Sequence, residues 1–283
     1  MTDTTVHVST QEALDAAIDA YHNTDTVVVI DTTDGVALEI HDSKECKLIA
    51  KGSGFISVSG HSRLEVRDSV WVEALDYSEV EAWESTKIHA FDMSRVSATD
   101  TANVYAEGAP RVTAGGRSRV RATNHTTVTA RDQAKVDSFD QSSVTAWGEG
   151  HVNAYDHSVA HLYNDVTAEI YGYSTAYTHG EVTAKAYGYS TVVATTSSII
   201  EAFGDSTVRA SQRSVVRAQD GARVLAKDQS RVCAHDLSTV RVSGEATVDA
   251  DDTVVVYRHG GATVNGGFVF DDGAPIPHDT PSA

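Results

Sequence analysis

The sequence is short of the residues that build thick cores or covalent frameworks: aromatics make up 7% of its 283 residues, with two Met, two Cys and four Pro. Such a chain cannot fill a deep globular interior. Its small apolar residues, chiefly Val and Ala, suit a thin core repeated many times along an axis. Positive charge is scarce as well, since 22 Lys and Arg stand against 40 Asp and Glu for a formal net charge of −18. That balance repels phosphates and disfavours direct nucleic-acid binding, which needs a basic stripe to displace condensed counterions. No apolar run of about 18 residues is present. The opening MTDTTVHVST lacks a basic region followed by an apolar stretch, so neither a membrane span nor a secretory signal is expected.

What the chain has in abundance is self-similarity, the feature that decides architecture when present. From His61 it divides into octads, HSRLEVRD, SVWVEALD, YSEVEAWE, STKIHAFD, and onward without insertion to TVVVYRHG at 253–260, about 25 units in all. The consensus is x-[SAV]-x-V-x-A-x-[DGN]. Positions two, four and six are small or apolar and the positions between vary freely, which is the period-two alternation of a strand with one buried face. Position eight carries Asp, Gly or Asn in most units, residues that tolerate the left-handed conformations of a corner. Each octad is therefore one short strand plus one corner, stabilised by stacking on the next coil about 4.8 Å away. In this frame one of Cys46 and Cys233 points inward and the other outward, so no disulfide is expected.

The aromatics set the coil. Phe139, Tyr155, Tyr171, Tyr187 and Phe203 occupy position seven of every second octad, Trp147 and Tyr163 repeat the interval in the other octads, and Tyr173 and Tyr189 repeat it at position one. A coil of two octads, about 16 residues, turns each series into a vertical ladder, whereas a coil of three would scatter them. The expected fold is all-β, a single-stack, two-sheet β-solenoid of some 13 coils and roughly 60 Å. Around 157–172 the core volumes are exchanged, with Ala160 and Ala168 at position four and Leu162 and Ile170 at position six.

Both ends of an open solenoid expose strand edges that need covering. Residues 1–44 read as an N-terminal cap: Ser9 and Glu12 have capping-box spacing, and Leu14, Ala17, Ile18 and Tyr21 share one face of a helix over 10–22. Val27–Ile30 and Val36–Ile40 then lead as strands into the solenoid of 45–267. Leu38, Ile40, Leu48, Ile56 and Leu64 make that beginning wide. Residues 268–283 break the frame and hold three of the four prolines; Phe268 and Phe270 are expected over the last coil, followed by a mobile tail from 273. A second copy of the chain is the partner expected to close this end, giving a homodimer.

The octads resemble the octapeptide-repeat β-solenoids of uncharacterised bacterial and phage proteins, over roughly residues 45–267. The resemblance implies a fold and no catalytic residues. It suggests a phage or prophage component, cytoplasmic or virion-associated. The coil logic is more remotely similar to that of pentapeptide-repeat proteins, some of which are acidic DNA mimics that bind topoisomerases, although this chain lacks their five-residue period.

Two candidate surfaces follow from the frame. Asp76, Asp92, Asp140, Asp156, Asp220, Asp236 and Asp252 form an acidic column at one corner, with Asp68, Asp100, Asp132 and Asp228 at the other. Such a column could bind Ca²⁺ or imitate a phosphate backbone, but Asp is also a corner residue that accepts backbone N–H bonds, and that structural role is the expectation. The aromatic ladder of Phe139, Tyr155, Tyr171, Tyr187 and Phe203, with Tyr173 and Tyr189, is the second candidate, as stacked structural rings or as a glycan or protein surface. The histidines, including His125, His157, His179, His235 and His259, read as solvated surface. No metal site or cofactor is expected. Enzyme motifs and loop insertions that would build a cleft are missing from the octads, so the expected function is a non-catalytic structural or binding rod. The alternatives are an acidic decoy of a nucleic-acid-binding protein and a polysaccharide-binding or polysaccharide-cleaving β-helix. Mixed residues at outward positions three and five exclude an ice-binding Thr array.

Overall fold

The computed structural model describes residues 4–271 and falls into two compact units. The first runs to Thr145 and includes Glu149–His151, and the second holds Ala146–Gly148 and the chain from Val152 onward. Each is a parallel β-solenoid with about 16 residues per turn. Every octad yields a short strand over positions three to six, as in Arg111–Ala114 and Arg119–Ala122 of the first unit and Thr207–Ala210 and Val215–Ala218 of the second. Alternation sends positions four and six inward, where Val112, Ala114, Val208 and Ala210 are buried. Each strand pairs with the one two octads further on, Val112 with Val128 and Val208 with Val224, so the two octads of a coil feed two separate parallel sheets. Val lies on Val and Ala on Ala, which keeps the core thickness constant from coil to coil. The exchanged volumes also hold: Ala160, Leu162, Ala168 and Ile170 are all buried.

Position eight turns the chain. Asp68, Asp76, Asp132, Asp156 and Asp220 all have φ between +55° and +60°. Asp, Asn and Gly accept this left-handed region more readily than other residues do. The position-two N–H then donates across the corner to the position-seven carbonyl, as in Ser174 to Tyr171 at 3.2 Å. At Gly52, φ is +104° and a Cβ would stand 2.0 Å from the Thr32 carbonyl oxygen, so only glycine fits.

At the N-terminus, β1 (Thr5–Val8) is followed by α1 (Gln11–Tyr21), β2 (Val27–Thr32), β3 (Ala37–Ile40), β4 (Lys47–Gly52) and β5 (Phe55–Val58). The helix is capped by Thr10, whose side chain accepts from the Ala13 N–H at 3.3 Å, one position later than the Ser9 and Glu12 spacing predicts. Leu14, Ala17 and Ile18 of α1 are buried, and the buried Cys46 donates its Sγ–H to the Ile18 carbonyl at 3.4 Å. Pairing confirms a wide beginning: Val27 faces Lys47 and Ala37 faces Phe55, both intervals longer than two octads, before the two-octad spacing sets in with Phe55 opposite Trp71. Leu38, Ile40, Leu48, Ile56 and Leu64 fill these first coils.

The C-terminal strand Phe268–Asp271 pairs with Val255–Arg258 at a shortened interval, Phe268 opposite Val255 and Val269 opposite Val256. Because Val256 points inward and is buried, Val269 takes the core side. Phe268 and Phe270 therefore face outward and do not cover the last coil; Phe270 stacks instead on Tyr257 at 5.6 Å. The tail expected from residue 273 lies outside the described residues.

Candidate functional site

The corner carboxylates are engaged by the backbone. In the first unit Asp76 accepts from the Gly60 N–H at 3.0 Å, Asp92 from Asp76 at 3.4 Å and Asp140 from Asn124 at 3.2 Å. At the opposite corner Asp68 accepts from Gly52 at 2.9 Å, Asp100 from Glu84 at 3.3 Å and Asp132 from Gly116 at 3.0 Å. The second unit repeats the pattern with Asp220 on Gly204, Asp236 on Asp220 and Asp228 on Gln212. Each acid thus closes the polar end of the corner one coil before it. Asp252 is the exception: the Asp251 carboxylate takes the Asp236 N–H at 3.1 Å, because its other oxygen is held by the Thr253 N–H and hydroxyl. Those bonds hold the Asp251 carboxyl down at about 2. The Asp-x-Thr spacing of a local side-chain turn was the available sequence signal. Among the described residues no three of His, Cys, Asp and Glu gather as a metal site.

The aromatic ladders are stacks along the coil direction. In the second unit Tyr155, Tyr171, Tyr187 and Phe203 lie with successive ring centroids 5.0, 4.9 and 5.1 Å apart and planes within 10°. Tyr173 and Tyr189, across the same corner, stack at 5.3 Å. Phe139 belongs to the first unit, where the Arg121 guanidinium sits 4.8 Å over its ring. Stacking covers the facing sides of adjacent rings, while Tyr173 and Tyr189 remain exposed. The Tyr171 hydroxyl donates to Glu169 at 2.5 Å, and this bond with burial pushes the phenol well above its ordinary value.

Several histidines expected on solvated surface have partners. His157 stacks on Tyr173, His161 on Tyr177 and His179 on Tyr163; His179 Nδ1 also lies 2.9 Å from the Thr195 hydroxyl. Burial, with His179 nearby, holds His161 below its ordinary pKa. Their signal was the two-octad spacing from an aromatic. His235, also read as solvated surface, has its Nε2 3.6 Å from Cys233 Sγ and its Nδ1 3.4 Å from Asp251. Cys233 is on the outward side of its strand, His235 and Asp251 each follow a strand end, and His235 is exposed.

Charged side chains form ladders too. Arg63, Glu79 and Arg95 alternate in the first unit with ion pairs of 2.9 and 3.2 Å, and Lys185, Glu201 and Arg217 alternate in the second at 3.5 and 3.4 Å. Shallow corridors run beside such rows. One in the first unit is lined by Arg117, Arg119, Gln133, Lys135, Glu149 and His151, and one in the second passes Gln212, Arg213, Gln229 and Glu245. No helix among the described residues is long and apolar enough to cross a membrane. Comparison with known proteins matches this chain to no family model, no curated protein and no solved structure.

Proposed function

We propose that the chain is a non-catalytic binding module whose outward rows engage an extended partner. The observation that carries this reading is the two-octad coil repeated without insertion through most of each unit, with shallow corridors between its outward rows of side chains. A pocket that excludes water is what paired catalytic groups require, and Cys233, His235 and Asp251 line neither of the two corridors. The decoy reading gains less support, because the corner carboxylates are already bonded to backbone N–H groups and several outward rows alternate in sign. Incubation with a panel of acidic and neutral polysaccharides tests the reading. Retention of a polymer without new reducing or unsaturated ends is the expected result, and sustained release of such ends would overturn it.

A further inference from the structure

Outward charge rows of this fold are of two kinds: Arg63–Glu79–Arg95 and Lys185–Glu201–Arg217 alternate in sign, whereas Glu65 faces Glu81 and Arg95 faces Arg111. In one like-charge pair of the first unit neither member has a counter-ion among the described residues. Arg119 stands directly opposite Lys135 in the parallel register, with the neutral Asn103 on its other side. Both cations are exposed, and neither joins an ion pair among the described residues. Like charges facing each other on paired strands are destabilising; Arg67 offsets this at Glu65 and Glu79 offsets it at Arg95, and Arg119 and Lys135 have no such offset. Residues 111–135 hold six Lys and Arg and one acid, Asp132, in a chain of net charge −18, and Asp137 faces Arg121 in the adjoining row.

The two cations share a corridor with a rigid wall. Arg117 Nε donates to Gln133 Oε1 at 3.1 Å, and Gln133 Nε2 donates to Glu149 at 3.0 Å. Glu149, the carboxylate in the corridor, is thereby engaged, while the terminal nitrogens of Arg117 remain for a ligand. Arg121, on the strand of Arg119, is held between the rings of Phe139 at 4.8 Å and Tyr105 at 5.9 Å, which fixes a further cation beside the row.

We propose that this corridor binds an acidic polysaccharide, with a carboxylate-bearing sugar chain lying across the coils so that successive carboxylates meet Arg119 and Lys135. The proposal rests on the reading of the chain as a binding module. Adjacent coils are about 4.8 Å apart, of the order of one sugar ring, so one carboxylate per sugar supplies one anion per cation. The guanidinium fork of Arg119 matches a carboxylate bidentately. A nucleic acid fits less well: duplex DNA carries a charge every ~1.7 Å, and a stiff duplex would overrun these few coils onto an acidic body.

Calorimetric titration of the full chain with an oligogalacturonate, a neutral malto-oligosaccharide of equal length and a short DNA duplex tests this. Binding of the oligogalacturonate is expected, weakened by salt, with none of the neutral sugar. Arg119→Glu and Lys135→Glu should each weaken it roughly tenfold or more. Thermal stability should be kept or raised, because either change restores alternation of sign in the row. The proposal is overturned if the oligogalacturonate does not bind, if the two substitutions leave its affinity unchanged, or if the duplex binds more tightly through the same residues. Residue-dependent binding with cleavage of the sugar would uphold the corridor and overturn the non-catalytic reading; absence of binding would overturn the corridor alone.

Discussion

Replacing Asp132 separates the two jobs of a corner acid. Its carboxylate accepts the Gly116 N–H at 3.0 Å, and its backbone sits at φ +58°. The corner is exposed, so water can take over the freed N–H and the bond is worth about 1 kcal/mol. Holding alanine in the left-handed region costs about 1 kcal/mol more than aspartate or asparagine, whose side chains tolerate it. Asp132→Ala should therefore destabilise by about 2 kcal/mol. Asp132→Asn keeps an acceptor and the backbone preference, and should stay within about 0.5 kcal/mol of the parent. Asp132→Gly relieves the backbone but loses the bond and adds unfolded-state entropy, which places it between them at about 1 kcal/mol. Urea unfolding followed by circular dichroism ranks the three, with amide exchange at Gly116 as a local readout, since stacked repeats need not unfold in one step. Alanine as stable as asparagine would refute the account, and glycine worse than alanine would show that the side chain acts through packing.

Core volume should behave as a sum over a coil: Leu162→Ala is expected to cost about 2–5 kcal/mol, and adding Ala160→Val, which restores the consensus order, should recover a large part of it in the same unfolding assay. In the native protein Cys233 should be alkylated by iodoacetamide while Cys46, buried under α1 with its thiol pushed up by that burial, should react only after unfolding; mass mapping of both peptides checks this. His161 is held below its ordinary pKa in the fold, so the unfolded chain takes up the proton first. Stability from this group is full above the unfolded value of about 6.5 and falls as pH drops through the folded one. His161→Phe should keep the stack on Tyr177 and flatten the decline of melting temperature between neutral and mildly acid pH.

Most of the corner chemistry was readable, because a left-handed backbone at position eight favours Asp, Asn and Gly, although Glu84, Thr196 and Gln212 adopt it as well. The same logic missed Asp251, since a local bond to Thr253 competes for the carboxylate and turns it toward Asp236 and His235. The helix cap slipped from Ser9 to Thr10 for a related reason, two adjacent hydroxyls being equivalent until the path of β1 selects one. Phe268 and Phe270 were misplaced because the last interval falls short of two octads, and pairing with Val255 and Tyr257 turns their side chains outward.

By itself the sequence determined the strand-and-corner unit, its two-octad coil and the inward residues, since these arise from local backbone preference and burial repeated in every octad. Tertiary structure decided what each outward residue meets: ring on ring in the tyrosine ladders, thiol beside imidazole at Cys233, and cation opposite cation at Arg119 and Lys135. Those contacts join residues in different coils or depend on side-chain orientation. Alternation marks such positions only as outward and variable, and the register of the folded sheet gives each one its neighbour.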